Sequence, residues 1–169
     1  MAENFGIQGR GKFYDATGTV RDVVQNHLFQ VLCNLAMEPP VRTDSESLRD
    51  EKVKVLKSIR TIEPGDVVRG QFRGYRDQAG VAAGSDVETF AAVCLQIDTW
   101  RWAGVPFYIR AGKCLPVTCT EVLVELKPPP QRLFVDSARA NCLANYLRFR
   151  LSPSAAVALA ARVKRAGKE

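Results

Sequence analysis

Residues 89–97 read "TFAAVCLQI". Ala91, Val93, Leu95 and Ile97 fall at every second position, and in a pleated strand that spacing puts all four on one face. Two later stretches alternate as cleanly: "EVLVELK" (121–127) and "NYLRFRL" (145–151), the second with Leu147, Phe149 and Leu151 set against Arg148 and Arg150. "VPFYIR" (105–110) supplies a fourth strand.

Upstream the period changes. From Thr19 onward, Val20, Val24, His27, Leu28, Val31 and Leu35 recur at helical spacing. Thr19 stands where an N-cap is expected, and Pro39–Pro40 must end the helix because proline has no N–H to donate. A second helix is predicted with Asp44 or Ser45 as its cap and Leu48, Val55, Leu56 and Ile59 as its apolar side. "EPGD" (63–66) is a turn, and Gly9, Gly11 and Gly18 predict a loop up to about Gly18. Helices followed by strands, without regular alternation, predict an α+β fold with helices packed on a largely antiparallel sheet.

The chain has 169 residues, 46% hydrophobic and 25% charged, a globular composition. A domain of that length buries roughly 70% of its unfolded surface. No apolar run approaches the roughly 20 residues that span a bilayer, so no membrane association is expected. Cys33, Cys94, Cys114, Cys119 and Cys142 are odd in number and form no close pair, which fits reduced thiols in a cytoplasm. With His27 the only histidine, no metal-ligand set is present. The net charge of +6 favours anionic partners, but no basic–aromatic motif points to nucleic acid. Arg162, Lys164, Arg165 and Lys168 read as a solvated end.

Two places could carry chemistry. His27 lies on the predicted apolar stripe, where it is either a hydrogen-bonded core residue or a base on the floor of a site. Asp22, five residues earlier, sits about 140° away around an ideal α-helix and suits the positive end of the helix dipole. "RAGKCL" (110–115) follows a strand and offers Arg110 and Lys113 on a glycine-containing turn that can present cations to a phosphate or sugar.

In order along the chain stand "GIQGRGKFYDATG" (6–18), "RDVVQNHLFQVLCNLAMEPP" (21–40), "RDEKVKVLKSIRTI" (49–62), "VVRGQFRGY" (67–75) and "GVPFYIRAGKCLP" (104–116). From Glu3 to about Pro153 this series resembles the glucose-6-phosphate dehydrogenase family, whose NADP-linked members open the oxidative pentose phosphate pathway. The resemblance implies that His27 is the general base for the C1 hydroxyl of glucose 6-phosphate. It implies that Glu3 and Asp22 are sugar-hydroxyl ligands and Lys113 a substrate-binding cation. Arg110 would lie near a second NADP, and a homo-oligomer would form through the sheet.

Residues 1–169 would then be part of the C-terminal domain, with the dinucleotide-binding domain belonging before Glu3 and the isolated chain inactive. A stand-alone dimerisation or regulatory module is the alternative. Thr118, Cys119 and Ser152 depart from the family's basic and glutamine positions. "SAAVALAARVKRAGKE" (154–169) reads as helix by composition, whereas the resemblance implies a strand over 155–165.

Overall fold

A computed structural model describes residues 1–128 and 144–161 of the chain. It divides into two units, Met1–Val117 and Thr118–Glu169. The first opens on an extended segment and α1 (Gly11–Thr19). A π-helical segment (Val20–Leu28), α2 (Phe29–Ala36) and α3 (Ser45–Lys57) follow. A three-stranded antiparallel sheet, β1 (Val67–Gly70), β2 (Phe90–Gln96) and β3 (Pro106–Gly112), completes the unit with β2 in the middle.

Along β2 the expected alternation holds: Ala91, Val93, Leu95 and Ile97 are all buried. The helices cover that face in two patches. Leu32, Cys33 and Ala36 of α2 and Val55 of α3 close over Leu95 and Ile97. Val23, Val24 and Leu28 of the π-helical segment lie over Ala91 and Ala111, which face each other across β2 and β3. Burying each of the valines, leucines and the isoleucine among these is worth about 1.5–3 kcal/mol. Two methyl-sized residues beneath the helix leave room for a close approach of helix to sheet.

Helix ends match the sequence in part. Asp44 caps α3 by accepting from the Ser47 N–H at 2.9 Å. The long helix stops at Met37, whose extended backbone leads into Pro39. Trp102, on the turn between β2 and β3, donates its indole N–H to the Ala36 carbonyl at 2.9 Å and sits edge-on to Phe107.

The N-terminal segment departs from expectation. Residues 11–17, predicted as loop, are helical because tertiary contacts outweigh the cost of Gly11, and the chain breaks only at Gly18. Tyr14 is buried with Ile7 and Tyr75, and the Asp15 carboxylate accepts from the Tyr75 hydroxyl, the Ala82 N–H and the Ser85 hydroxyl. These bonds hold the Asp15 carboxyl below the usual carboxylate range, the Ser85 bond foremost. They also fasten the long β1–β2 loop to α1. Gly11 is required there, since a β-carbon would strike the Ala79 carbonyl oxygen.

The second unit is a three-stranded antiparallel sheet in the order β4 (Thr120–Glu125), β5 (Tyr146–Ser152), β6 (Ala156–Ala160). Strand, not the helix of composition, therefore forms at 156–160; residues 162–165 of that expectation, and the basic cluster from Arg162, lie outside the described residues. Leu147 and Phe149 are half-buried while Leu151 is exposed, so the predicted inward row of β5 is only partly covered. The α+β class holds, with the strands shared between two antiparallel sheets.

Candidate functional site

The predicted site residues come from three segments of the first unit. Glu3 belongs to the extended N-terminal segment, Asp22 and His27 to the π-helical segment, and Lys113 to the turn after β3. Glu3 is stitched to that turn twice through its backbone. Its N–H donates to the Gly112 carbonyl at 3.0 Å and its carbonyl accepts from the Leu115 N–H at 2.9 Å. Between these bonds Cys114 takes a positive φ of 54°, a left-handed conformation that costs a non-glycine residue about 1–3 kcal/mol. Such a kink lets Lys113 turn inward.

Lys113 is almost wholly buried. Its side chain is 2% exposed, and its ammonium donates to the Glu3 carboxylate at 2.6 Å. Two ring faces complete its surroundings, Tyr14 at 5.1 Å and Phe5 at 5.4 Å from the ammonium to the centroids. A cation taken this far out of water needs a counter-charge and further favourable contacts, and here it has both.

Tyr14 links this pair to the helix. Its hydroxyl lies 2.5 Å from the Thr19 hydroxyl. Burial pushes the phenol up to about 12, the Thr19 hydrogen bond opposes this, and the nearby charges of Asp22, Glu3 and Glu88 add to it. The Lys113–Glu3 pair therefore lies against this ring, and the charges of Asp22 and Glu88 act on it as well.

The π-helical segment resolves the relation between Asp22 and His27. The Phe29 N–H bonds the Val24 carbonyl, five residues back. In an i→i+5 ladder each residue turns through a smaller angle than in an α-helix, so residues five apart lie closer around the axis than the roughly 140° of an ideal α-helix. Asp22 is half-buried and His27 exposed. This widened turn also shifts the buried stripe. Val24 and Leu28 remain inside, Val23, Leu32 and Cys33 join them, Val20, Val31 and Leu35 are half-buried, and His27 faces out. In this unit His27 is therefore not a core residue.

Thr19 is not the cap. Its backbone is helical at φ −65° and ψ −35°, and the break falls at Gly18, with φ 72° and ψ 171°. The free N–H groups beyond that break are taken by Glu88, 68 residues from Val20. Thr19 donates to the Glu88 carbonyl at 3.0 Å and Val20 to its carboxylate at 2.9 Å. Nothing local in the sequence signals this cap, nor the place of Tyr14 at the hub.

Arg110 stands apart. On β3 it pairs with Ala92 of β2, and strand alternation sends it to the face opposite Ala111 and the helices. Among the described residues, no three His, Cys, Asp or Glu side chains gather to hold a metal, and no helix is long and apolar enough to cross a membrane. The described strands pair only antiparallel, so these residues provide no strand–glycine turn–helix cradle for a dinucleotide.

Fold and residues together are those of an α+β domain that presents carboxylates, one buried cation and an imidazole from an extended N-terminal segment, a helix and a strand end. Over residues 1–169 the chain matches the family described as glucose-6-phosphate dehydrogenase, C-terminal domain, and it belongs to that family. It is 50% identical to glucose-6-phosphate 1-dehydrogenase 1 of Mycobacterium tuberculosis over 139 residues, which is 82% of this chain and 30% of that protein. A crystal structure of glucose-6-phosphate 1-dehydrogenase from Mycobacterium avium superposes with a TM-score of 0.93 at 46% identity, covering 99% of this chain and 37% of that one. A glucose-6-phosphate dehydrogenase in complex with its substrate glucose 6-phosphate superposes with a TM-score of 0.88 at 40% identity, covering 98% and 35%. The chain thus spans about a third of the length of these relatives.

Proposed function

We propose that this chain supplies the sugar-binding and proton-abstracting side of an NADP-dependent dehydrogenase that oxidises glucose 6-phosphate at C1 to 6-phosphogluconolactone. The observation that carries the reading is the buried Lys113–Glu3 pair against the Tyr14 ring, beside the π-helical segment that bears both Asp22 and His27. Membership of the family and the relative bound to glucose 6-phosphate support it.

In this reading the Glu3 and Asp22 carboxylates accept hydrogen bonds from sugar hydroxyls and fix the ring. Lys113, already held by Glu3, offers its remaining N–H donors to the anionic sugar. The His27 imidazole, open to solvent, takes the C1 hydroxyl proton. A bound nicotinamide supplies the hydride acceptor, and the described residues of this chain do not form its cradle. Arg110, on the far face of the sheet, is suited to a second NADP. Cys33, Cys94, Cys114 and Cys119 are unbridged, in keeping with a cytoplasmic protein. Val157 and Leu159, exposed on one face of the second sheet, favour a homo-oligomer formed through it.

The test follows the ring signals of the single histidine by NMR. Glucose 6-phosphate should move them, and neither glucose nor sulfate should do so at equal concentration. Equal responses to all three, or none to the sugar phosphate in a folded sample, would overturn the reading in favour of a module without the chemistry.

A further inference from the structure

The dipeptide Glu88–Thr89 lies between the β1–β2 loop and the first residue of β2, and its bonds run in both directions across the site. Toward the helix, the Glu88 carbonyl accepts from the Thr19 N–H at 3.0 Å and the carboxylate accepts from the Val20 N–H at 2.9 Å. Toward the strand end, the Thr89 carbonyl accepts from the Lys113 N–H at 3.0 Å. Thr89 is completely buried and is itself pinned: its N–H donates to the Gly70 carbonyl at 2.9 Å and its hydroxyl accepts from the Phe72 N–H at 2.7 Å.

We infer that Glu88 is a positioning residue for the site. It caps the break at Gly18 and, through Thr89, sets the spacing between Lys113 and the helix that carries Asp22 and His27.

Three features support this. First, the π-helical segment begins at Val20, the residue whose N–H the carboxylate takes, so the cap sits where the widened register starts. A helix start has no partner of its own for its first N–H groups, and an anion there also meets the positive end of the dipole. Second, a β-carbon at Gly18 would lie 2.7 Å from the Glu88 carboxylate oxygen, so the glycine makes room for this side chain. Third, the nearest local candidate does not cap the helix, because the Thr19 hydroxyl is engaged with Tyr14. Losing the carboxylate frees the first turn to unwind or to tighten toward ordinary α-helix. Either change rotates Asp22 and His27 relative to Lys113 while leaving all three side chains chemically intact.

The inference rests on the proposed sugar-phosphate site for one of its readouts only. Glu88→Ala, Glu88→Gln and the unmodified chain are compared by hydrogen exchange at the Thr19 and Val20 amides, by the His27 ring signals without ligand, and by glucose 6-phosphate affinity. In E88A we expect faster exchange at Val20 and displaced His27 signals. We also expect binding weakened by about tenfold, the usual worth of a helix cap. E88Q, which keeps an acceptor oxygen, should restore most of all three. If E88A does not fold, Glu88→Asp, which draws the carboxylate back by one methylene, is read in the same way. A folded variant with unchanged His27 signals overturns the inference, whatever its stability. If the unmodified chain does not bind glucose 6-phosphate, the functional reading fails, and exchange and ring signals still decide the role of Glu88.

Discussion

Replacing Glu3 by glutamine removes the carboxylate hydrogen-bonded to an ammonium whose side chain is 2% exposed, while leaving a group of nearly the same shape. Two unit charges 2.6 Å apart attract by roughly 6 kcal/mol at an effective dielectric of about 20, before the cost of drying both groups is subtracted. What the substitution exposes is that drying cost. The ammonium stays buried between Phe5 and Tyr14 without its counter-charge, and breaking such a pair costs about 3–5 kcal/mol. Screening by water offsets little of it, because so little of Lys113 reaches solvent. Urea unfolding of E3Q, followed by far-ultraviolet circular dichroism, should show that loss as a lowered midpoint with an unchanged slope. Lys113→Met should cost less, since the Glu3 carboxylate keeps 17% of its surface in water. The double variant should be more stable than E3Q alone, because no lone charge remains inside. An E3Q loss below about 1 kcal/mol, or strictly additive effects in the double variant, would refute the description of this pair as buried and coupled.

Three further outcomes follow from the geometry. His27→Asn, placed in a form that also carries a dinucleotide-binding domain, should lower kcat by about 10²–10⁴-fold with a smaller change in KM. Because His27 is exposed, the same change should leave urea stability within about 0.5 kcal/mol, and a larger loss would return it to the core. Gly18→Ala should destabilise by about 1–3 kcal/mol, since φ is 72° and the new methyl meets the Glu88 carboxylate; urea midpoints measure it, and an unchanged midpoint would contradict the break. Tyr14 holds its proton more tightly folded than unfolded, so its contribution is whole below the reference pKa of 10.0 and fades as pH rises through about 12. Stability measured across that window should fall in the native chain and fall less in Tyr14→Phe.

Local rules explain which parts of the fold could be read from the chain. The row from Ala91 to Ile97 could be read because one buried face demands strict alternation, and the Asp44 cap because its partner is three residues away. The short edge strand at Val67–Gly70 left no such mark: it has four residues and Val68 is largely exposed. Nor did the helix at Gly11–Thr19, which depends on Asp15 reaching the loop near Ser85. In the site, "QNH" and "GK" mark His27 and Lys113 through family resemblance. The direction His27 faces depends on a ladder bonded five residues apart, which alternation and spacing do not encode. Glu88 and Tyr14 were hidden for the same reason, since their partners are set by the assembled fold.

Trp102 hands its indole N–H to the last carbonyl of α2 and rests half-buried beside Phe107, while Trp100, two residues away, stands fully in water. These are the only two tryptophans in the chain. Emission therefore carries two colours with separate meanings: a blue component from Trp102 that reports the seating of α2 against the sheet, and a red one from Trp100 that serves as an internal reference. Trp100→Phe would leave a single tryptophan, on the β2–β3 turn against the end of α2, so the docking of that helix can be timed optically without any added label.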